Sequence, residues 1–101
     1  MDKYDELLKV SNPRRVLKRL NNYIPGVDLY VSTKKGKKYM IQNPEGRWIH
    51  FGDMNFSDYT KHKDEVRRIH YLQRATNIKG DWKDDPYSAN KLALHLLWNY
   101  M

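Results

Sequence analysis

Cysteine is absent from the 101 residues. Disulfides, zinc–thiolate centres and thiol catalysis are thereby excluded, and a reducing compartment is allowed. No apolar run approaches the roughly 18 residues of a membrane span, and the opening MDKYDELLKV lacks the apolar core of a secretory signal. The expectation is a soluble, intracellular protein that is not secreted. Glycine is scarce, and Gly36, Gly46 and Gly52 each fall at a turn of the pattern, so no glycine-rich phosphate loop is present. A nucleophile elbow is missing, as is a carboxylate pair with a supporting motif. No catalytic residue, metal or cofactor is assigned, and the expectation leans to a non-enzymatic role. There is no internal repeat, low-complexity tract or linker.

What the chain does have is positive charge. Lys and Arg number 19 against 12 Asp and Glu, a formal net charge of +7 with a pI near 9.6. A polyanion fits that balance: nucleic acid first, then an anionic membrane or an acidic protein. The excess is uneven, with six basic and three acidic residues in 1–26, five and two in 27–52, and eight and seven in 53–101. Most of the positive potential is therefore expected from the N-terminal half. With 40% hydrophobic residues and 13% aromatics, a chain of this length makes one folded domain, residues 1–101.

Periodicity divides that domain into a basic helical segment (1–26), a β-meander (27–52) and a helical half (53–101). KYDELLK (3–9) is a short helix candidate. Ser11 or Asn12 can cap a second helix with Pro13 at its first position, where the missing N–H costs nothing. From Pro13 to about Asn22, Val16, Leu17, Leu20 and Ile24 share one face and Arg14, Arg15, Lys18 and Arg19 fill the opposite arc. After Pro25-Gly26 the period falls to two: VDLYVST, KYMIQ and RWIHFG read as strands joined by the turns KKGK and NPEG. A helix from Lys61 or Lys63 to Thr76 follows, with Asp64 and Glu65 near its positive end. Gly80 stops it, DWKDDPYS is a loop, and Ser88 can cap a last helix, ANKLALHLLWNY. The fold class is α+β, a small three-stranded antiparallel meander with N-terminal and C-terminal helices.

Two readings compete for DYTKHKDEVRRIHYLQRA (58–75). As a helix it carries Lys63, Arg67, His70 and Arg74 in one stripe at spacings of 4, 3 and 4, with Val66, Ile69, Leu72 and Thr76 on another side to pack. Such a stripe can track phosphates, with Tyr59 or Tyr71 available to stack. The competing metal site needs three or four of His50, Asp53, Asp58, His62, Asp64 and His70 to converge. His62 and His70 are eight apart rather than four, which disfavours it. A metal-dependent phosphodiesterase on His50, Asp53, His62 and Asp64 is the corresponding alternative function.

The basic second helix could also serve a helix-turn-helix, but its nearly all-cationic face suits phosphates better than base edges. Its apolar side is only four residues wide and is needed by the core, so no membrane partner is expected. Lys34, Lys35, Lys37 and Lys38 sit together at the first hairpin tip. The nucleic-acid-binding set is accordingly Arg14, Arg15, Lys18, Arg19, Lys35, Lys37, Lys38, Lys63, Arg67 and Arg74. The tail is apolar almost all round, from Leu92, Ala93, Leu94, Leu96, Leu97 and Trp98 to Met101, so a surplus could make an oligomer contact. His95 there is a core-edge histidine.

From Tyr30 to Trp98 the chain resembles a family of short basic proteins encoded by large double-stranded DNA viruses of eukaryotes. The resemblance rests on the order of WIHFG (48–52), DYTKHKD (58–64), RRIHY (67–71), WKDDPYS (82–88) and LLW (96–98), and the first 26 residues lie outside it. It implies a viral context, in the virion or in the cytoplasm or nucleus of an infected cell, and transfers no site residues. The combined expectation is a virion-associated protein that contacts nucleic-acid phosphates with little sequence specificity, DNA ahead of RNA. A minor capsid or assembly protein is the alternative, a homo-oligomer or a partner of other virion proteins through Leu94, Leu97, Trp98 and the aromatics around Trp48 and Phe51.

Overall fold

In the computed structural model, which describes residues 2–100, helix α1 (Lys3–Val10) is capped by Asp2, whose carboxylate accepts the Asp5 amide at 3.0 Å. Helix α2 (Pro13–Tyr23) starts as its sequence dictates, with Pro13 at the first turn and the Asn12 side chain accepting from the Arg15 amide. Its inward arc differs from the expected one. Val16 and Leu20 are buried, but Leu17 is 42% exposed, because the arc turns toward Tyr23 and carries Arg19 partly inward. The Arg19 Nη1 atom is buried and finds no hydrogen-bond partner among the described residues, so Arg19 leaves the free cationic arc expected of Arg14, Arg15, Lys18 and Arg19.

Strands β1 (Tyr30–Val31), β2 (Lys37–Gln42) and β3 (Trp48–Asp53) pair antiparallel in the order β1-β2-β3, the meander expected. The first is only two residues long, although Val27 and Leu29 before it still pack on the core. Tyr39, Ile41 and Phe51 face inward, while Tyr30 and Trp48 stand about half exposed and in edge-to-face contact at 5.5 Å on the outer side.

The helix expected from Lys61 or Lys63 to Thr76 is two. A single turn, α3 (Tyr59–His62), ends at Lys63 in the left-handed conformation (φ 55°), and α4 (Glu65–Thr76) restarts at once. Asp64 forces the restart: its carboxylate accepts the Val66 and Arg67 amides and so caps α4. The orientation of α4 also departs from the expected packing of Val66, Ile69, Leu72 and Thr76. Val66 and Ile69 are exposed at 62% and 46%, and the packed side is Arg68, Tyr71, Leu72 and Ala75.

After a 3-10 turn (Asp81–Asp84), Ser88 caps α5 (Ala89–Leu92), accepting from the Lys91 amide. The helix continues as a π turn (Ala93–Leu97) and stops at Trp98, short of the Asn-Tyr expected within it. Arg68 supplies the stop, donating from Nε to the Trp98 carbonyl (3.0 Å) and from Nη2 to that of Asn99 (2.9 Å). The apolar majority of this last helix packs against α2 and β3. Leu92 through Leu94 and Leu96 through Trp98 are all buried, and Ala93, Leu97 and Trp98 border a groove; Met101 lies outside the described residues.

Candidate nucleic-acid interface

The C-terminal end of β3 has to pass close to the last helix. Gly52 makes this passage at φ +85°, with its α-carbon so near Lys38 and Leu97 that a methyl group there would lie 2.9–3.0 Å from both. Beyond it the chain swings out through Asp53 to Phe56. The space left between that segment, α4 and the last helix is a groove of about 830 Å³.

Besides the buried Lys38, four cationic or potentially cationic side chains line the groove: Lys37 from β2, and Arg67, His70 and Arg74 from successive turns of α4. Their convergence is a matter of helical spacing. With 3.6 residues per turn, positions 67, 70, 74 and 71 share a flank of α4, and Asp64 sets where that helix begins. None of the four makes an ion pair among the described residues. Arg68 differs, being committed to Glu65 at 2.7 Å and to the C-terminal carbonyls. One carboxylate, Asp53, also reaches the groove, and the Asn90 amide in its wall donates to the Ala75 carbonyl.

The remaining lining is apolar and aromatic. Tyr71 and Trp98 stack with centroids 4.2 Å apart and planes 9° from parallel, and burial pushes the Tyr71 phenol up to about 12. Phe56 (61% exposed) and Ile78 (51%) are open to solvent on the groove walls. The sequence pattern did not single out Phe56, which sits in a loop with no periodicity to mark it.

Of the expected phosphate-binding residues, Lys37, Arg67 and Arg74 thus share one surface. Arg14 instead borders a shallow depression beside Tyr4, Leu17 and Tyr30, and Arg15, Lys18, Lys35 and Lys63 line neither hollow. Lys38 is a correction. Rather than standing at the hairpin tip it is buried to 2% exposure, with Nζ 3.0 Å from the Asp58 carboxylate and 3.2 Å from the Val10 carbonyl. Burial lowers its pKa, against the opposing pull of Asp58.

Asp58 is the centre of a buried polar network, not an exposed member of a cluster. Besides Lys38 it accepts the amide and the hydroxyl of Thr60. The Thr60 hydroxyl also accepts from the Asn12 amide at 2.9 Å, and Ser11 bonds the Tyr39 phenol at 2.7 Å. The network ties the α1–α2 junction to β2 and α3, so the Asp-Tyr-Thr portion of the 58–75 stretch is spent on tertiary structure.

Among the described residues, no three His, Asp or Glu side chains gather where they could hold one metal ion. His50 Nδ1 is hydrogen-bonded to Ser32 at 2.7 Å, and Asp53 accepts the Asn55 amide. His62 Nδ1 accepts the Asp64 amide at 2.8 Å while its ring packs on Trp98. A proton on that nitrogen would abolish the acceptor. His62 titrates below its usual 6.5, chiefly through burial and next through Arg67; His95, stacked on Tyr23, is likewise lowered by burial. Each group binds its proton more readily unfolded than folded, so its contribution is present above about pH 6.5 and is lost as pH falls through the lower folded value. The melting temperature is expected to drop as pH is taken from 7 to 5, and His62→Gln to flatten that dependence; an equal pH slope in wild type and variant would contradict the assignment.

Residues 27–75 match the model of a family of unknown function (DUF5754). That stretch contains the meander, Asp58 and its partners Lys38 and Thr60, and the cationic flank of α4, but not the last helix. No curated protein and no solved structure matches the chain.

Proposed function

We propose that the protein binds nucleic acid by its phosphates, with little sequence preference, and that it acts in a virus particle or an infected cell, as the resemblance in its sequence implies. The observation that carries this reading is the convergence of Lys37, Arg67, His70 and Arg74, free of ion pairs among the described residues, on one groove in a chain of net charge +7. Neighbouring cations without carboxylate partners reinforce one another's potential and attract a polyanion. Little specificity follows from the donor set: lysine and arginine suit phosphate oxygens, and the Asn90 amide is occupied within the fold.

The test is a salt series with a labelled oligonucleotide. Reversing the groove charge with Arg67→Glu and Arg74→Glu together should weaken binding at least tenfold at low salt. For each phosphate no longer neutralised, the slope of log K against log salt should also fall by about 0.7 on a single strand, or about 0.9 on a duplex. Arg14→Glu, outside the groove, should have a smaller effect. Wild-type affinity in the double variant at low salt would overturn the assignment of the groove.

A further inference from the structure

A surface made only to hold phosphates needs cations and little else, and this groove has more. Phe56, 61% exposed, comes from the β3–α3 loop and Ile78, 51% exposed, from just beyond α4; both are open to the groove and neither belongs to the core. Ala93, Leu97 and Trp98 continue the apolar surface into the groove. About 830 Å³ lies within the range, about 300–1,000 Å³, of clefts that enclose a compact ligand. The occupant should therefore be anionic along one side and flat and apolar on the other.

A duplex does not meet that description. Its bases are paired and stacked inside the helix, so it would present phosphates to Arg67 and Arg74 and leave the Phe56 and Ile78 walls in water. A single strand can do both: turn an unstacked base onto an aromatic face while its backbone runs along the cations. Stacking is tolerant of base identity because every base has a π-face, in keeping with a groove that offers lysine and arginine rather than base-reading amides.

From this we infer that the groove is a single-strand site, in which an unpaired base packs against Phe56 while the flanking phosphates are held by Lys37, Arg67 and Arg74. The inference rests on the phosphate-binding reading and adds the strandedness of the ligand and the residue that reads it. Phe56 touches the base and the cations touch the backbone, so the two contributions separate by mutation.

The experiment compares four probes on the full chain at matched salt: a 12-nucleotide DNA strand, the same length as duplex, an abasic strand of equal charge, and polyglutamate. The base-bearing strand is expected to bind tightest. Phe56→Ala should weaken it about tenfold, within the range expected for one base stacked on an aromatic ring, and leave the salt slope unchanged. Because Phe56 is largely exposed, the variant should keep the wild-type melting temperature, which is checked alongside. Equal binding of the strand, duplex and abasic probes, or of the strand to wild type and Phe56→Ala, would overturn the single-strand inference and leave phosphate binding standing, whereas equal binding of polyglutamate would overturn both in favour of charge alone. Absence of binding to every probe at low salt would remove both.

Discussion

Asp58→Ala is expected to destabilise the fold by about 3–5 kcal/mol, the cost of stranding one member of a buried ion pair. Asp58 and Lys38 are about 1% and 2% exposed at the side chain, with 3.0 Å between carboxylate and ammonium. Removing the carboxylate leaves the ammonium with only the Val10 carbonyl, 3.2 Å away, and deprives the Thr60 amide and hydroxyl of their acceptor. Against the roughly 5–15 kcal/mol that holds a domain of this size, the loss is a large fraction and should lower the melting temperature by more than about 10 °C. Lys38→Met in the same background should recover part of the loss by removing the uncompensated charge, but not all, since the Thr60 bonds remain broken. A melting temperature within a degree or two of wild type for Asp58→Ala would mean that the pair is not buried in solution.

Gly52→Ala should cost about 2–5 kcal/mol and, unlike Asp58→Ala, should also disturb the groove. Two penalties combine. The backbone at φ +85° puts a Cβ where L-residues are strained by about 1–2 kcal/mol, and that Cβ meets Lys38 Cβ at 2.9 Å and Leu97 Cδ1 at 3.0 Å, an overpacking worth about 1–3 kcal/mol. Gly36 provides the control: its φ is +84°, but a Cβ there meets nothing within 4 Å, so Gly36→Ala carries the strain alone. The difference in urea midpoint between the two variants isolates the close approach of β3 to the last helix. Since Gly52 and Leu97 both line the groove, the material that folds should bind a single strand more weakly than Gly36→Ala does. Equal stabilities would show that Leu97 and Lys38 move aside freely.

Local signals settled much of this architecture. Pro13 after Asn12, Ser88 before Ala89, and the turns at Gly36 and Gly46 act within a few residues of themselves, and each marks the boundary expected of it. Alternation along KYMIQ and RWIHFG was enough for two strands and their order in a meander. The cationic flank of α4 was legible too, because helical spacing alone aligns Arg67, His70 and Arg74. The cap at Asp64 was less so, since Asp58 and Asp64 are both spaced to start a helix and both do.

Tertiary packing decided the rest. Which flank of α4 turns inward depends on Arg68 reaching the carbonyls of Trp98 and Asn99, some thirty residues away, and that reach left Val66 and Ile69 exposed. Whether Lys38 is a surface cation or an internal one depends on Asp58 arriving from another segment with a charge to meet it. The apolar excess of the last helix packs against α2 and β3, and neither neighbour is visible from its own residues. Composition and periodicity therefore determined that this is a basic α+β domain with a cationic helix. Only the assembled fold decided that Lys37, Arg67, His70 and Arg74 share a groove with Phe56, because a groove belongs to the space between elements and no single element's spacing encodes it.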